Sequence, residues 1–159
     1  MSTWKVWDKE QTYGDLFFKR ATGELPEMES SKALAKVIEP YLEEGDKIGD
    51  IGCGGGHYLR SLDNKVTKKF HYVGVDQTAY YIQKANEAFS IPENKNELRM
   101  STSFVKGDIF SIPLDDESVD VAICNNVLLH LCCCYTNQNT NLMKRRVVGS
   151  QENQSSIRN

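Results

Sequence analysis

The stretch Lys47-Ile48-Gly49-Asp50-Ile51-Gly52-Cys53-Gly54-Gly55-Gly56-His57-Tyr58-Leu59 constrains the fold of this chain more than any other. A short strand-like run breaks into clustered glycines, and a polar-to-apolar run then restarts with helical spacing. Strand, glycine turn and helix in that order suit a nucleotide site. Glycines without a Cβ permit positive φ and close approach of backbone to ligand, and the following helix offers unpaired N–H groups at the positive end of its dipole.

The surrounding sequence reads as alternating helices and strands. Trp4, Trp7, Tyr13, Phe17 and Phe18 sit among charges before Arg20, as in one or two short helices whose aromatic face packs on the domain or covers a ligand cleft. Ser30 or Ser31 can cap a second helix with an apolar stripe of Leu34, Val37, Ile38, Tyr41 and Leu42, closed near Gly45. Strands are expected at Lys47 to Ile51, Phe70 to Asp76, Ser103 to Asp108 and Val119 to Cys124. Helices are expected after the glycine turn, where Tyr58, Leu59 and Leu62 are apolar, and from Thr78 to Phe89, which can bury Tyr81, Ile82, Ala85 and Ala88. This alternation implies an α/β fold, a Rossmann-like, doubly wound parallel sheet with helices on both faces. Ligands of such sheets bind at the carboxyl ends of the strands, where strand order reverses. The glycine turn, Asp76, Asp108 and Asn125 all fall at strand ends on that edge.

With 159 residues, 40% hydrophobic and 26% charged, the chain has the size and composition of one ordinary folded domain. A net charge of −3 gives no electrostatic case for nucleic acid or a membrane surface, and the start of the chain turns polar at once. A soluble, cytoplasmic protein is the default expectation. The five cysteines, three of them consecutive at Cys132-Cys133-Cys134, suit reduced thiols better than a disulfide framework. Adjacent cysteines also cannot easily aim three thiolates at one tetrahedral centre, so no metal site is expected.

The strand-end residues have distinct chemistry. An acid just past a second parallel strand, Asp76 with Gln77 beside it, can accept hydrogen bonds from the vicinal hydroxyls of a ribose. Asp108 can accept from an exocyclic amine while Ile109 or Phe110 packs on a base. Asp50 can hold an ammonium group or a bridging water, or simply pin the loop. A dinucleotide fingerprint starting at Gly52 would require glycine where the chain has His57, whereas Gly-x-Gly-x-Gly is complete at Gly52, Gly54 and Gly56. No Gly-Lys-Ser/Thr follows the glycines, which excludes a P-loop.

Asp50-Ile51-Gly52-Cys53-Gly54-Gly55-Gly56, Val73-Gly74-Val75-Asp76, Gly107-Asp108-Ile109 before Ile112-Pro113-Leu114, and Asn125-Asn126-Val127-Leu128-Leu129-His130-Leu131 together resemble the class I S-adenosylmethionine-dependent methyltransferases. The resemblance runs from about Leu34 to Leu131. It implies S-adenosylmethionine as cofactor, with Asp50, Gly52, Cys53, Gly54 and Gly56 forming the loop against its methionine and ribose portion. Asp76 and Gln77 would meet the ribose, Asp108 and Ile109 the adenine, and Asn125 the methyl-donor end. The implied reaction is in-line methyl transfer to an acceptor that the sequence does not identify, a small molecule by default. His130 is the candidate base by residue type.

Residues 1–30 then read as an aromatic helical cap, 31–131 as a partial cofactor domain and 132–159 as an irregular or disordered tail. The resemblance implies seven strands, and about four are legible, so the chain reads as truncated. On that reading Val119 to Cys124 becomes an exposed sheet edge, prone to self-association. Gly49, where the family usually has a larger apolar residue, is expected to loosen the first strand. The alternative function is a non-catalytic S-adenosylmethionine-binding fragment or an inactive truncated product.

Overall fold

The computed structural model describes residues 11–89, 100–125, 127 and 143–148, with residues 11 and 143–148 described as backbone. In chain order these form α1 (Gln11–Thr22), α2 (Glu29–Ile38), a 3-10 turn (Glu39–Tyr41), β1 (Asp46–Ile51), α3 (His57–Lys65), β2 (Phe70–Asp76), α4 (Ala79–Phe89), β3 (Met100–Lys106), β4 (Val119–Ile123) and β5 (Met143–Val148). The described strands pair in parallel, in the order β3-β2-β1-β4-β5. The chain steps outward from β1 to β3 and then returns to the other side of β1. The reversal between β1 and β4 opens a crevice at the carboxyl ends of the central strands.

Alternation along the strands builds two apolar layers. Ile48, Phe70, Tyr72, Phe104, Val121 and Ile123 meet Leu34, Ala35 and Ile38 of α2, Leu59 and Leu62 of α3, and Ile82 and Ala85 of α4 in the larger cluster. Ile51, Val73 and Val75 point the other way and are covered by Ile109, Ile112 and Leu114, from the segment after β3, and by Cys124.

Four local expectations change. In α2, Leu34, Ile38 and the following Leu42 are buried, but Val37 and Tyr41 are 50% and 54% exposed, and Ser31 and Ala35 complete the buried face. The α-helix stops at Ile38 because Pro40, lacking an N–H, sits in the 3-10 turn, so later residues leave the 3.6-residue period. Its N-cap is Met28, which caps with no side-chain hydrogen bond, rather than Ser30 or Ser31. In α4, Ala88 is exposed, and Phe89 stacks on Phe104 at 5.7 Å between ring centroids. Gly49 leaves no slack: an added Cβ would lie 3.1 Å from Val119 Cγ1, so the β4 side chain already fills that space.

The largest correction concerns the tail. Met143–Val148, inside the stretch expected to be irregular, pairs in parallel with β4, Val121 opposite Arg146 and Ile123 opposite Val148. β4 therefore lies inside the sheet and is not its edge. Its outer N–H and C=O groups would otherwise lack partners, and the Val147-Val148 run has the β-branched composition to supply them. No helix among the described residues is long and apolar enough to cross a membrane.

Candidate functional site

The glycine turn is shaped by three left-handed residues, Gly52 at φ +80°, Gly54 at +52° and Gly56 at +82°. Gly52 and Cys53 donate their N–H groups to the Val75 carbonyl at 2.7 and 3.1 Å, which folds the turn over the end of β2. Gly56 is the N-cap of α3. An added Cβ at Gly54 would meet nothing within 4 Å, so this backbone borders open space. At Gly55 an added Cβ would lie 2.9 Å from the Phe18 ring, which shows how closely α1 crosses the turn.

Asp76 closes the other side. Its Oδ2 accepts the Gly54 N–H at 2.9 Å and its Oδ1 accepts the Thr78 N–H at 2.8 Å. Two backbone donors fix the carboxylate plane, and each oxygen keeps a lone pair for a further donor. The Asp76 carbonyl accepts the Gly107 N–H at 2.9 Å, which brings the end of β3 alongside. Just beyond, Asp108 Oδ1 accepts the Phe110 N–H at 3.0 Å, and the Asp108 carbonyl accepts the Ser111 N–H at 2.9 Å. That compact turn presents an exposed carboxylate beside Ile109.

These parts wall a cleft of about 350 Å³, within the range of small-molecule and cofactor pockets. Gly52, Cys53, Gly54, Asp76, Gln77, Asp108, Ile109 and Asn125 all line it, so most of the expected site residues come together. Two do not. Gly56 lies off the wall, where it starts α3 and clears room for Phe104, 3.1 Å from an added Cβ. Asp50 is 1% exposed beneath the wall and accepts the Tyr72 hydroxyl at 2.5 Å. Burial pushes its carboxyl up to about 7; the Tyr72 hydrogen bond opposes that rise and the nearby Asp76 charge adds to it. Of the two sequence readings of Asp50, this buried bond fits the loop pin. His130 and the cysteine triplet lie outside the described residues, as do Trp4 and Trp7.

The wall also contains residues the motifs did not single out. Tyr13, Gly14 and Phe17 of α1 line the cleft, so the aromatic helix both packs on the domain and borders the ligand space. An added Cβ at Gly14 would fall 1.9 Å from the Tyr81 hydroxyl, so only glycine lets α1 cross α4 this closely. Lys84 spans the crossing, 3.1 Å from Asp15 and 4.7 Å above the Phe18 ring. The i, i+4 spacing of Tyr13 and Phe17 was the available signal for a shared face.

His57, also on the wall, lies between Phe17, 5.1 Å away centroid to centroid, and Tyr58, 4.0 Å away. Burial lowers its pKa to about 4, with the Arg20 charge adding to the shift, so the imidazole is neutral near pH 7. Its place directly after the glycine turn could have marked it in the sequence. Cys53 is fully buried, and burial raises its thiol pKa well above the usual range, with the Asp50 and Asp76 charges adding, so it stays protonated.

Comparison with known proteins agrees with this geometry. A family model described as a methyltransferase domain matches residues 42–150. The chain is 32% identical over 92 residues to a protein of Schizosaccharomyces pombe named an uncharacterized methyltransferase, covering 57% of this chain and 33% of that protein. It is 34% identical over 84 residues to an arsenite methyltransferase of Halobacterium salinarum, covering 53% of this chain and 20% of that protein. The matches thus span a third or less of these relatives. Among solved structures, a complex between the Trm112 methyltransferase activator of Haloferax volcanii and a candidate methyltransferase superposes with a TM-score of 0.50 at 26% identity, covering 71% of this chain and 45% of that one. A candidate S-adenosyl-L-methionine-dependent methyltransferase of Methanococcus maripaludis superposes with a TM-score of 0.54 at 17% identity, covering 75% and 54%, a likeness of fold alone.

Proposed function

The chain belongs to the methyltransferase-domain family, and on that premise we propose that its cleft binds S-adenosylmethionine and that the whole protein transfers the cofactor's methyl group to an acceptor. The observation that carries the reading is the Asp76 carboxylate at the carboxyl end of β2, held by the Gly54 and Thr78 N–H groups on the wall of the cleft. An acid so oriented can accept both hydroxyls of a ribose. The open space beside Gly54 admits the ligand next to bare backbone.

When bound, S-adenosylmethionine supplies a methyl carbon made electrophilic by its sulfonium. The chain's own task is then positioning. Asp76 with Gln77 would hold the ribose, Asp108 would accept from the adenine amine while Ile109 packs on the ring, and the glycine turn would give backbone contact to the remainder. Tyr13 and Phe17 of α1 border the cleft with aromatic surface. Asn125, two residues past β4, would meet the methyl-donor end. An acceptor that must lose a proton needs a base; the neutral His57 is the described titratable nitrogen on the wall.

Calorimetric titration with S-adenosylmethionine and S-adenosylhomocysteine tests the reading. Both should bind the wild type, and Asp76→Ala should weaken both by about tenfold or more, the loss of a charged hydrogen-bond acceptor. No heat with the wild type would refute it.

A further inference from the structure

Tyr58 touches two cleft-wall side chains from behind. It is 2% exposed and lies in the first turn of α3, where the left-handed Gly56 N-cap sets the start of the helix. Its hydroxyl accepts the Asn125 Nδ2–H at 2.6 Å, across 67 residues of chain. Its ring lies 4.0 Å from that of His57. Asn125 and His57 line the cleft, and Tyr58 does not.

Asn125 stands two residues past Ile123, the last residue of β4, so strand pairing does not set its side-chain direction. A phenol anchored in the core can, because a tyrosine side chain has little freedom once its ring is packed. Burial raises the Tyr58 hydroxyl pKa to about 12, with the Asp50 charge adding and the Asn125 bond opposing. The group therefore stays a neutral phenol throughout the working range. We infer that Tyr58 is a positioning residue, holding the Asn125 amide in the cleft wall through its hydroxyl. The consequence for ligand binding rests on the proposed S-adenosylmethionine site.

Tyr58→Phe keeps the ring and its contact with His57 and removes the hydroxyl alone. Two measurements test the inference. In nitrogen-labelled wild type the Asn125 side-chain amide protons should exchange slowly, and Tyr58→Phe should move their resonances toward those of solvated amides. Fast exchange in the wild type, or unmoved resonances in the variant, would overturn the inference, and neither outcome depends on a ligand. Titration with S-adenosylmethionine should show Tyr58→Phe binding about three- to tenfold more weakly, the loss of one hydrogen bond. The Tyr58→Phe/Asn125→Ala double variant should bind no more weakly than Asn125→Ala alone, since the two residues act as one unit. Additive losses would mean that the Tyr58 hydroxyl acts independently of Asn125 and would also overturn the inference. If the wild type binds neither S-adenosylmethionine nor S-adenosylhomocysteine, the cofactor reading fails while the amide measurements still decide the link between Tyr58 and Asn125.

Discussion

Tyr72 donates its hydroxyl hydrogen bond to Asp50 Oδ2 at 2.5 Å inside the core, tying β2 to β1 directly beneath the glycine turn. The Asp50 carboxyl has an ordinary pKa of 3.8, which holds in an unfolded chain, and is pushed up to about 7 in the fold, where burial disfavours its charge. Below about pH 4 both states hold the proton and the group leaves stability unchanged. Between the two values only the folded state keeps it, so this carboxyl erodes stability as pH climbs from about 4 to about 7, by on the order of 4 kcal/mol in all. Asp50→Asn removes the titration. Urea denaturation across this window should show the variant gaining stability relative to wild type as pH rises; a difference that stays flat would contradict the assignment.

Asp76 should matter to stability before any ligand arrives. Asp76→Ala strips the Gly54 and Thr78 N–H groups of their acceptor and should cost about 1–3 kcal/mol. Asp76→Asn keeps one acceptor oxygen for two donors and should fall between. Thermal and urea denaturation of the three proteins should give that order, with Asp76→Ala least stable.

The crossing of α1 over α4 depends on the absence of a side chain at Gly14. Gly14→Val drives a β-branched group into Tyr81 and should cost about 1–3 kcal/mol. Tyr81→Ala in the same chain opens the space and should return part of that loss. An additive double variant would show that the two positions do not meet.

The Lys84–Asp15 pair is a small contributor. Its side chains are 29% and 33% exposed, so solvent screens the attraction. Lys84→Met keeps the alkyl packing over Phe18 and should cost less than about 1 kcal/mol. The difference from wild type should shrink in high salt.

Much of this arrangement could be read from the sequence because it depends on short-range pattern. The apolar run through Ile51 and the glycines after it require a strand and a left-handed turn, and β2 runs from Phe70 to Asp76 as its aromatic and β-branched residues suggest. An acid at the end of a strand belongs at the carboxyl edge of a parallel sheet, so the joint approach of Asp76, Asp108 and Asn125 to one cleft followed once the sheet was parallel. Where local pattern met a competing constraint it misled: Pro40 ended the helical period before Tyr41, and Phe89, rather than Ala88, reached Phe104.

The sequence by itself determined the order of elements and which polar groups stand at strand ends, because backbone preference and side-chain period are local properties. Tertiary structure alone decided what those groups touch. Asp50 turned inward to Tyr72 rather than lining the cleft, and Val119 filled the space beside Gly49. Tyr58 reached Asn125, α1 became a wall of the cleft, and β5 covered the side of β4 that local reading left bare. Each is a contact between residues far apart along the chain, set by close packing of side chains and by pairing of buried polar groups. Neither leaves a periodic trace in the sequence.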